Sequence, residues 1–449
     1  MDRKILRLAL VIAVSLFVGT VFTGCNDGED ASEPYLLKKE DIRVSQPEGG
    51  FAVVVDQLLK VRVESESDEG ISYLWLLDGS EIARTKDLEY MFEEVGEYEL
   101  ILRASQGENH YDYLFTVTVT FDNIEPAPEG AGSILSKVPE GATAYITKVL
   151  DFVPAVGQFT NALPAYDEGD TQEVMNEKVL AAIGNNKKGM ISLGGFGGYV
   201  VVGFDHTITN VTGKRDFRVL GNAFYSAANP DSDAPEGGSC EPGVIMVAYD
   251  KNQNGMPDED EWYEIAGSAH EDAALELWYD KAVAAGNDVE TYRNYEITYY
   301  RPEKEPETSE EREKYIRWED NRGNSGYKVK NTFHNQCYFP EWIKEDKITF
   351  KGTCLPQNAV DESGQGNYFV LYKFRYGYAD NEVNTKDESA IDIDWAVNSK
   401  GQKVHLPGID FIKIYTGVNQ ENGWLGECST EISGVEDLHV LGVDIDTRK

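Results

Sequence analysis

The stretch Tyr73-Leu74-Trp75-Leu76-Leu77-Asp78-Gly79 decides the fold of the N-terminal region. Tyr73, Leu74 and Trp75 put an indole in mid-strand, where it can fill the space between two sheets, and Asp78-Gly79 follows as a turn. Working outward, Phe51–Val55, Leu59–Val63, Ser72–Leu76, Tyr98–Arg103 and Tyr113–Thr120 are short alternating segments. Turn-formers separate them at strand-length intervals, the pattern of a small β-sandwich. In that setting Trp75 is a core residue rather than a ligand contact.

Tyr73, Trp75 and Asp78-Gly79, followed by Tyr90, Phe92, Gly96, Tyr98 and Leu100, have a spacing that resembles the PKD (polycystic kidney disease) repeat, an Ig-like fold. Trp75-Leu76-Leu77-Asp78-Gly79 departs from the repeat's usual W-D-F-G-D-G. The resemblance covers most of the module at residues 34–124 and implies a spacer. Residues 125–130, Glu125 to Gly130, read as the linker that follows.

Residues 131–449 read as a second, larger domain. Tyr145–Val149, Gly189–Leu193, Tyr199–Phe204, Phe217–Leu220, Val244–Tyr249, Glu296–Tyr300, Lys347–Lys351, Tyr368–Phe374 and Phe411–Thr416 have strand patterns. Helical spacing is confined to Thr171–Ile183 and Glu271–Ala285. Many strands without βαβ alternation predict a β-sandwich or jelly-roll-like domain with a few inserted helices, so the chain is mainly β. Residues 302–314 are charged and read as a solvated excursion. Gly194-Gly195-Phe196-Gly197-Gly198 lies between two strands; a phosphate loop needs a helix next, so the glycines predict a tight turn with close backbone approach.

The N-terminus predicts export. Arg3, Lys4 and Arg7 precede an apolar run from Leu8 to Phe22, and Thr23-Gly24-Cys25 closes it. The run is shorter than the roughly twenty residues of a spanning helix. A small residue directly before a cysteine resembles the lipobox of bacterial lipoproteins. That likeness implies a signal peptide over 1–24, acylation of Cys25 and an outer-membrane anchor, with 25–33 as an acidic, flexible tether. Acidic residues after the cysteine resemble the surface-export signal of Bacteroidetes lipoproteins, which implies an outward-facing protein. Cys240, Cys337, Cys354 and Cys428 remain, an even number that permits two disulfides in an exported chain. The formal charge of −38 disfavours nucleic acid and favours cations.

Asp250-Lys251-Asn252-Gln253-Asn254-Gly255-Met256-Pro257-Asp258-Glu259-Asp260-Glu261 matches D-x-[DN]-x-[DN]-G-x5-E throughout. Asp250, Asn252 and Asn254 offer oxygens at alternate positions, Gly255 permits the sharp turn, Met256 offers a carbonyl, and Asp258 and Glu261 complete a calcium loop. The preceding strand pattern and Pro257 point to a structural calcium in a β-rich domain, not a paired sensor. A second acidic cluster joins Asp380-Asn381 to Asp392 and Asp394. There, strand-like alternation from Asp392 to Trp395 predicts a polar face, with calcium as the alternative. Phe204-Asp205-His206 holds a carboxylate beside an imidazole, but adjacent strand residues point apart. No H-E-x-x-H or Gly-x-Ser-x-Gly is present, and no carboxylate pair singles itself out, so the reading is non-enzymatic.

Gln158-Phe159, Leu163-Pro164, Gly169-Asp170, Leu193 to Asp205, Asp216-Phe217, Gly221 to Phe224, Glu241 to Val244, Trp262 to Glu264 and Trp424 to Glu427 resemble blocks of Bacteroidetes cell-surface lipoproteins. The resemblance implies capture of a nutrient, a glycan or a cobalamin-type corrinoid, beside a TonB-dependent outer-membrane transporter. Adhesion by a calcium-stabilised scaffold and a secreted glycoside hydrolase are the alternatives. Phe196, Tyr225, Trp342, Tyr378 and Trp395 are candidate contacts. Trp318, Tyr327 and Trp424 are favoured, because their polar, Gly- or Asn-containing context predicts loops.

Overall fold

The structure, a computed structural model, describes residues 36–44, 50–54, 58–92, 96–107, 109–120, 141–226 and 234–447. Cys25, the segments 1–24 and 25–33, and the linker 125–130 lie outside the described residues.

The N-terminal module is a β-sandwich. Its five-stranded sheet runs in the order Phe51–Val54, Asn109–Thr120, Gly96–Gln106, Ser72–Leu77, Ser80–Ala83. Only the first pair is parallel. Two strand pairs, Ile42–Val44 with Val63–Ser65 and Leu58–Val61 with Leu88–Met91, supply the opposing layer. Alternation places Tyr73 and Trp75 inward with Leu100, Leu102 and Val117, against Ile42, Leu59, Val61 and Leu88. Trp75 is fully buried, and its indole nitrogen donates to the Thr85 carbonyl at 3.0 Å. Asp78 and Gly79 form the expected turn, both at positive φ.

The second domain is built on a six-stranded antiparallel sheet. Its order is Lys148–Val153, Tyr199–Thr209, Gly408–Thr416, Gly243–Ala248, Trp262–Ile265, Ala396–Val397. Both faces are buried. Val200, Val202, Ile245, Val247, Ile412 and Ile414 face a core completed by the helix Gln172–Ile183 and by the three-stranded sheet containing Phe217–Leu220. Val244 and Tyr415 face another core. Its other wall consists of a four-stranded sheet with Tyr292–Tyr300 and Lys347–Cys354 and another with Gly237–Ser239 and Phe369–Tyr372. The fold is mainly β with few helices, as the strand patterns predict.

Three local expectations need correction. Glu271–Ala285 is not one helix: Ser268–Glu271 ends at Asp272, whose carboxylate caps Ala274 N at 2.9 Å, and a new helix begins at Tyr279. Trp278 packs in the core, while Leu277 is 75% exposed, so the helical spacing misassigned the latter. Asp392–Trp395 is not a strand. Asp392 caps a 3-10 turn over Ile393–Trp395, accepting from Asp394 N at 2.8 Å. Among the described residues no disulfide forms: Cys240, Cys354 and Cys428 are free and buried, and Cys337 is free and half-buried. Burial pushes the thiols of all four upward, which disfavours the thiolate form.

The glycine segment behaves as expected. Gly194 and Gly197 have positive φ, and a Cβ on Gly198 would overlap the Leu193 carbonyl oxygen and the Ala155 nitrogen. Gly198→Ala is expected to lower the stability of this domain by about 2–3 kcal/mol in urea unfolding. A loss below about 0.5 kcal/mol would show that the turn can relax.

Candidate functional site

An open cleft of about 550 Å³ lies in the second domain. Its rim carries three exposed aromatics: Trp424 at 52%, Phe224 at 57% and Phe333 at 69%. Tyr368, Phe369 and Leu371 extend the apolar wall, and Glu241, Glu427, Glu431, Asn422, Gln158 and His334 supply polar groups. Among the described residues, neither Lys nor Arg lines the cleft.

Each wall is held by local chemistry. Trp424 sits on a 3-10 turn, Gly423–Leu425. Gly423 has φ +58, and a Cβ there would press on the Phe369 ring at 2.9 Å, so glycine brings the tryptophan against the neighbouring sheet. The Trp424 indole donates to the Asn367 carbonyl at 3.4 Å. On the opposite loop, the Asn331 side-chain oxygen accepts the backbone N–H groups of Phe333 and His334, both at 3.0 Å. Gln158 joins the two sides. It accepts from the Asn331 amide at 2.7 Å, donates its own amide to the Leu425 carbonyl at 2.7 Å, and donates its backbone N–H to Glu427 at 2.7 Å.

The carboxyls in the cleft are electrostatically unusual. Burial, then the charge of Glu421, pushes Glu427 up to about 8. Burial pushes Glu431 up to about 7. Glu241 is raised well above the ordinary range by burial and then by Glu431 and Asp380. At neutral pH Glu427 is therefore protonated and able to donate a hydrogen bond.

The three favoured aromatics are not brought together. Trp424 is in this cleft. Trp318 lines a separate hollow of about 260 Å³ with Tyr292, Asp320 and Arg322. Tyr327, 44% exposed on the strand Ser325–Lys328, lines neither. Phe196, Trp342 and Tyr378 are core residues. Trp395 is half-buried beneath the Arg215 guanidinium at 5.1 Å. Tyr225 donates to Glu382 and carries Lys386 4.5 Å above its ring. Sequence reasoning missed Phe224, Phe333, Tyr368 and the three glutamates. Phe333 had a visible signal, a lone aromatic in Asn331-Thr332-Phe333-His334-Asn335-Gln336.

The calcium-type loop has the expected flanks, Gly243–Ala248 before it and Trp262–Ile265 after it, and Gly255 has φ +78. Asp250 accepts the N–H groups of Asn254 at 3.1 Å and Gly255 at 2.8 Å. The amide nitrogens of Asn252 and Asn254 both donate to Asp258, while their side-chain oxygens accept the N–H groups of Asn254 at 3.0 Å and Met256 at 2.7 Å. Glu261 instead caps Lys251 N at 2.8 Å and Asp258 N at 3.0 Å. The oxygen donors are of the kind that suits a hard cation, and Asp250, Asn252, Asn254, Asp258 and Glu261 all spend them on hydrogen bonds within the loop.

Asp205 and His206 do pair, at 2.8 Å, and the imidazole also meets Asp437 at 2.7 Å. Strand alternation fails here because the register with Gly408–Thr416 shifts between Gly203 and Ile208. The second acidic cluster divides. Asp394 binds His405 at 2.8 Å, whereas Asp380 joins Glu241 and Glu431 under the cleft.

Among solved structures, a quinonprotein alcohol dehydrogenase-like protein from Bacteroides thetaiotaomicron VPI-5482 is similar over 16% of this chain and 18% of its own, at 16% identity and a TM-score of 0.16. A SusE-like protein is similar over 89% of this chain and 97% of its own, at 9% identity and a TM-score of 0.21. The SGBP-B of a Bacteroides ovatus mixed-linkage glucan utilization locus, solved with a mixed-linkage heptasaccharide, is similar over 46% of this chain and 55% of its own, at 11% identity and a TM-score of 0.16. The chain thus spans 18% of the first and about half of the third. No curated protein matches. Residues 41–106 match the PKD-like domain family, so the sandwich around Trp75 is a PKD-like domain.

Proposed function

We propose that this chain is a non-enzymatic cell-surface lipoprotein, anchored through Cys25, that captures an extracellular nutrient for an outer-membrane TonB-dependent transporter. The ligand is a glycan or a cobalamin-type corrinoid, and the PKD-like module spaces the binding domain from the membrane. Calcium at Asp250–Glu261 stiffens the domain. The observation that carries the reading is the cleft: exposed Trp424, Phe333 and Phe224 stand over amides and protonatable carboxyls, with no Lys or Arg among the described residues that line it. Aromatic faces stack on flat, weakly charged ligands, and the polar groups below fix their orientation. An anionic ligand would meet like charge.

Isothermal titration of the chain with neutral plant and host glycans, cobalamin and cobinamide tests this. A saturable ligand is expected, and Trp424→Ala is expected to weaken it at least about tenfold. Binding that is indifferent to Trp424 would move the site elsewhere, and silence across the panel would favour the scaffold reading. Release of reducing ends from a bound glycan, lost in Glu427→Gln, would replace capture with hydrolysis, because a protonated carboxyl at neutral pH suits a general acid.

A further inference from the structure

Glu241, Asp380 and Glu431 come from three distant segments and meet at the cleft, with one oxygen of each within 4.8 Å of the others. Asp380 and Glu431 are 2% and 4% exposed, while Glu241 is half-buried and lines the cleft with Glu431. Among the described residues, the hydrogen-bond partners of the trio are neutral. Asp380 accepts backbone N–H groups of Asn222, Ala223 and Glu431. Glu241 accepts from Ser429 N and the Ser239 hydroxyl, and Glu431 from the Ser429 hydroxyl and the Asn222 amide. Three carboxylates so close in a buried place repel one another strongly unless protons or a cation intervene.

Another feature of the cleft points to a ligand. Asn422 is 1% exposed and lines the same cleft, yet among the described residues its side-chain oxygen accepts no hydrogen bond. A buried amide oxygen left without a donor costs about 1–3 kcal/mol. It is a neutral oxygen donor of the kind that hard cations and ligand hydroxyls use.

We propose that Glu241, Asp380 and Glu431 hold a hard divalent cation, calcium foremost, at the floor of the cleft. The donors are all oxygen, which selects calcium, magnesium or manganese over softer metals. Three carboxylates leave part of a calcium shell of six to eight oxygens for water or for oxygens of a molecule entering the cleft. This site stands on its own residues and does not depend on what the cleft captures.

The test separates it from the Asp250 loop. In full-length Asp250→Asn, calcium chloride is expected to raise the thermal midpoint by several degrees over EDTA. Adding Glu431→Gln, which keeps the shape, is expected to abolish that shift while raising the midpoint in EDTA, because one charge of the trio is gone. No shift with calcium, magnesium or manganese in Asp250→Asn, or a full shift surviving Glu431→Gln, would overturn the proposal. Should Asp250→Asn fail to fold, the native loop is kept and calcium stoichiometry is measured by titration. A loss of one site in Glu431→Gln supports the proposal and an unchanged count refutes it. Glycan and corrinoid titrations run in EDTA report separately on capture.

Discussion

Trp75→Ala is expected to unfold the PKD-like module while leaving the cleft domain folded. The indole is fully buried, its ring centroid lies 6.4 Å from that of Phe115, and its N–H satisfies the Thr85 carbonyl. Truncation opens a large cavity and orphans that carbonyl, at a cost of about 3–5 kcal/mol. A module of this size has a total stability of roughly 4–12 kcal/mol. Its calorimetric transition should therefore fall by roughly 15–30 °C or vanish, with the transition of the second domain and its ligand titration unchanged. A common fall in both transitions would show that the modules unfold as one, and no fall would show that Trp75 does not organise the sandwich.

Asp392 should make the second domain more stable at pH 5 than at pH 8. The residue is 2% exposed, and burial, then Asp216 and Asp394, push its carboxyl up to about 8. The unfolded chain releases this proton near pH 4, whereas the folded chain keeps it to about 8. Below pH 4 both states are protonated and nothing is lost. Between the two values the unfolded state is favoured by up to about 1.4 kcal/mol per pH unit, and above 8 the cost is constant. His405 and His439, raised by neighbouring aspartates despite burial, add slope of the same sign. Asp392→Asn keeps the cap on Asp394 N and removes the charge. It should stabilise the domain by roughly 5 kcal/mol at pH 8 and by about 1.5 kcal/mol at pH 5. Urea midpoints at the two pH values decide it: a wild-type midpoint that climbs with pH, or an Asn variant with the native slope, contradicts the assignment.

Strands were legible where one rule sufficed. Alternation located Ser72–Leu77, and the fully apolar Gly243–Ala248 was visible as a buried run. The failures share a cause, a side chain bonded to nearby backbone. Asp272 and Asp392 cap new turns and so break a helix and a strand that periodicity had extended. The cleft was largely invisible. Trp424 was picked out by its polar surroundings, but Phe196 in its run of glycines and Trp342 between a proline and lysines have similar local context and are core. Glu241, Asp380 and Glu431 lie far apart in sequence, so no spacing rule joins them. Their meeting depends on Gly243–Ala248 and Gly408–Thr416 pairing within one sheet and on Glu431–Ile432 pairing with Ile191–Ser192.

The central place of Gly408–Thr416 sets the order in which the chain can assemble. This strand lies between Tyr199–Thr209 and Gly243–Ala248, so the middle of the large sheet is filled by one of its last segments to be synthesised. Among the described residues, the strands of the PKD-like module all end by Thr120, so the module can close while the ribosome is still making the rest. The second domain must wait, with one edge of each of two strands unpaired over some 160 to 200 residues of further synthesis, and such delayed, non-local pairing is slow. A nascent chain stalled before residue 408 should therefore present a protease-resistant head and a body that still needs a holdase.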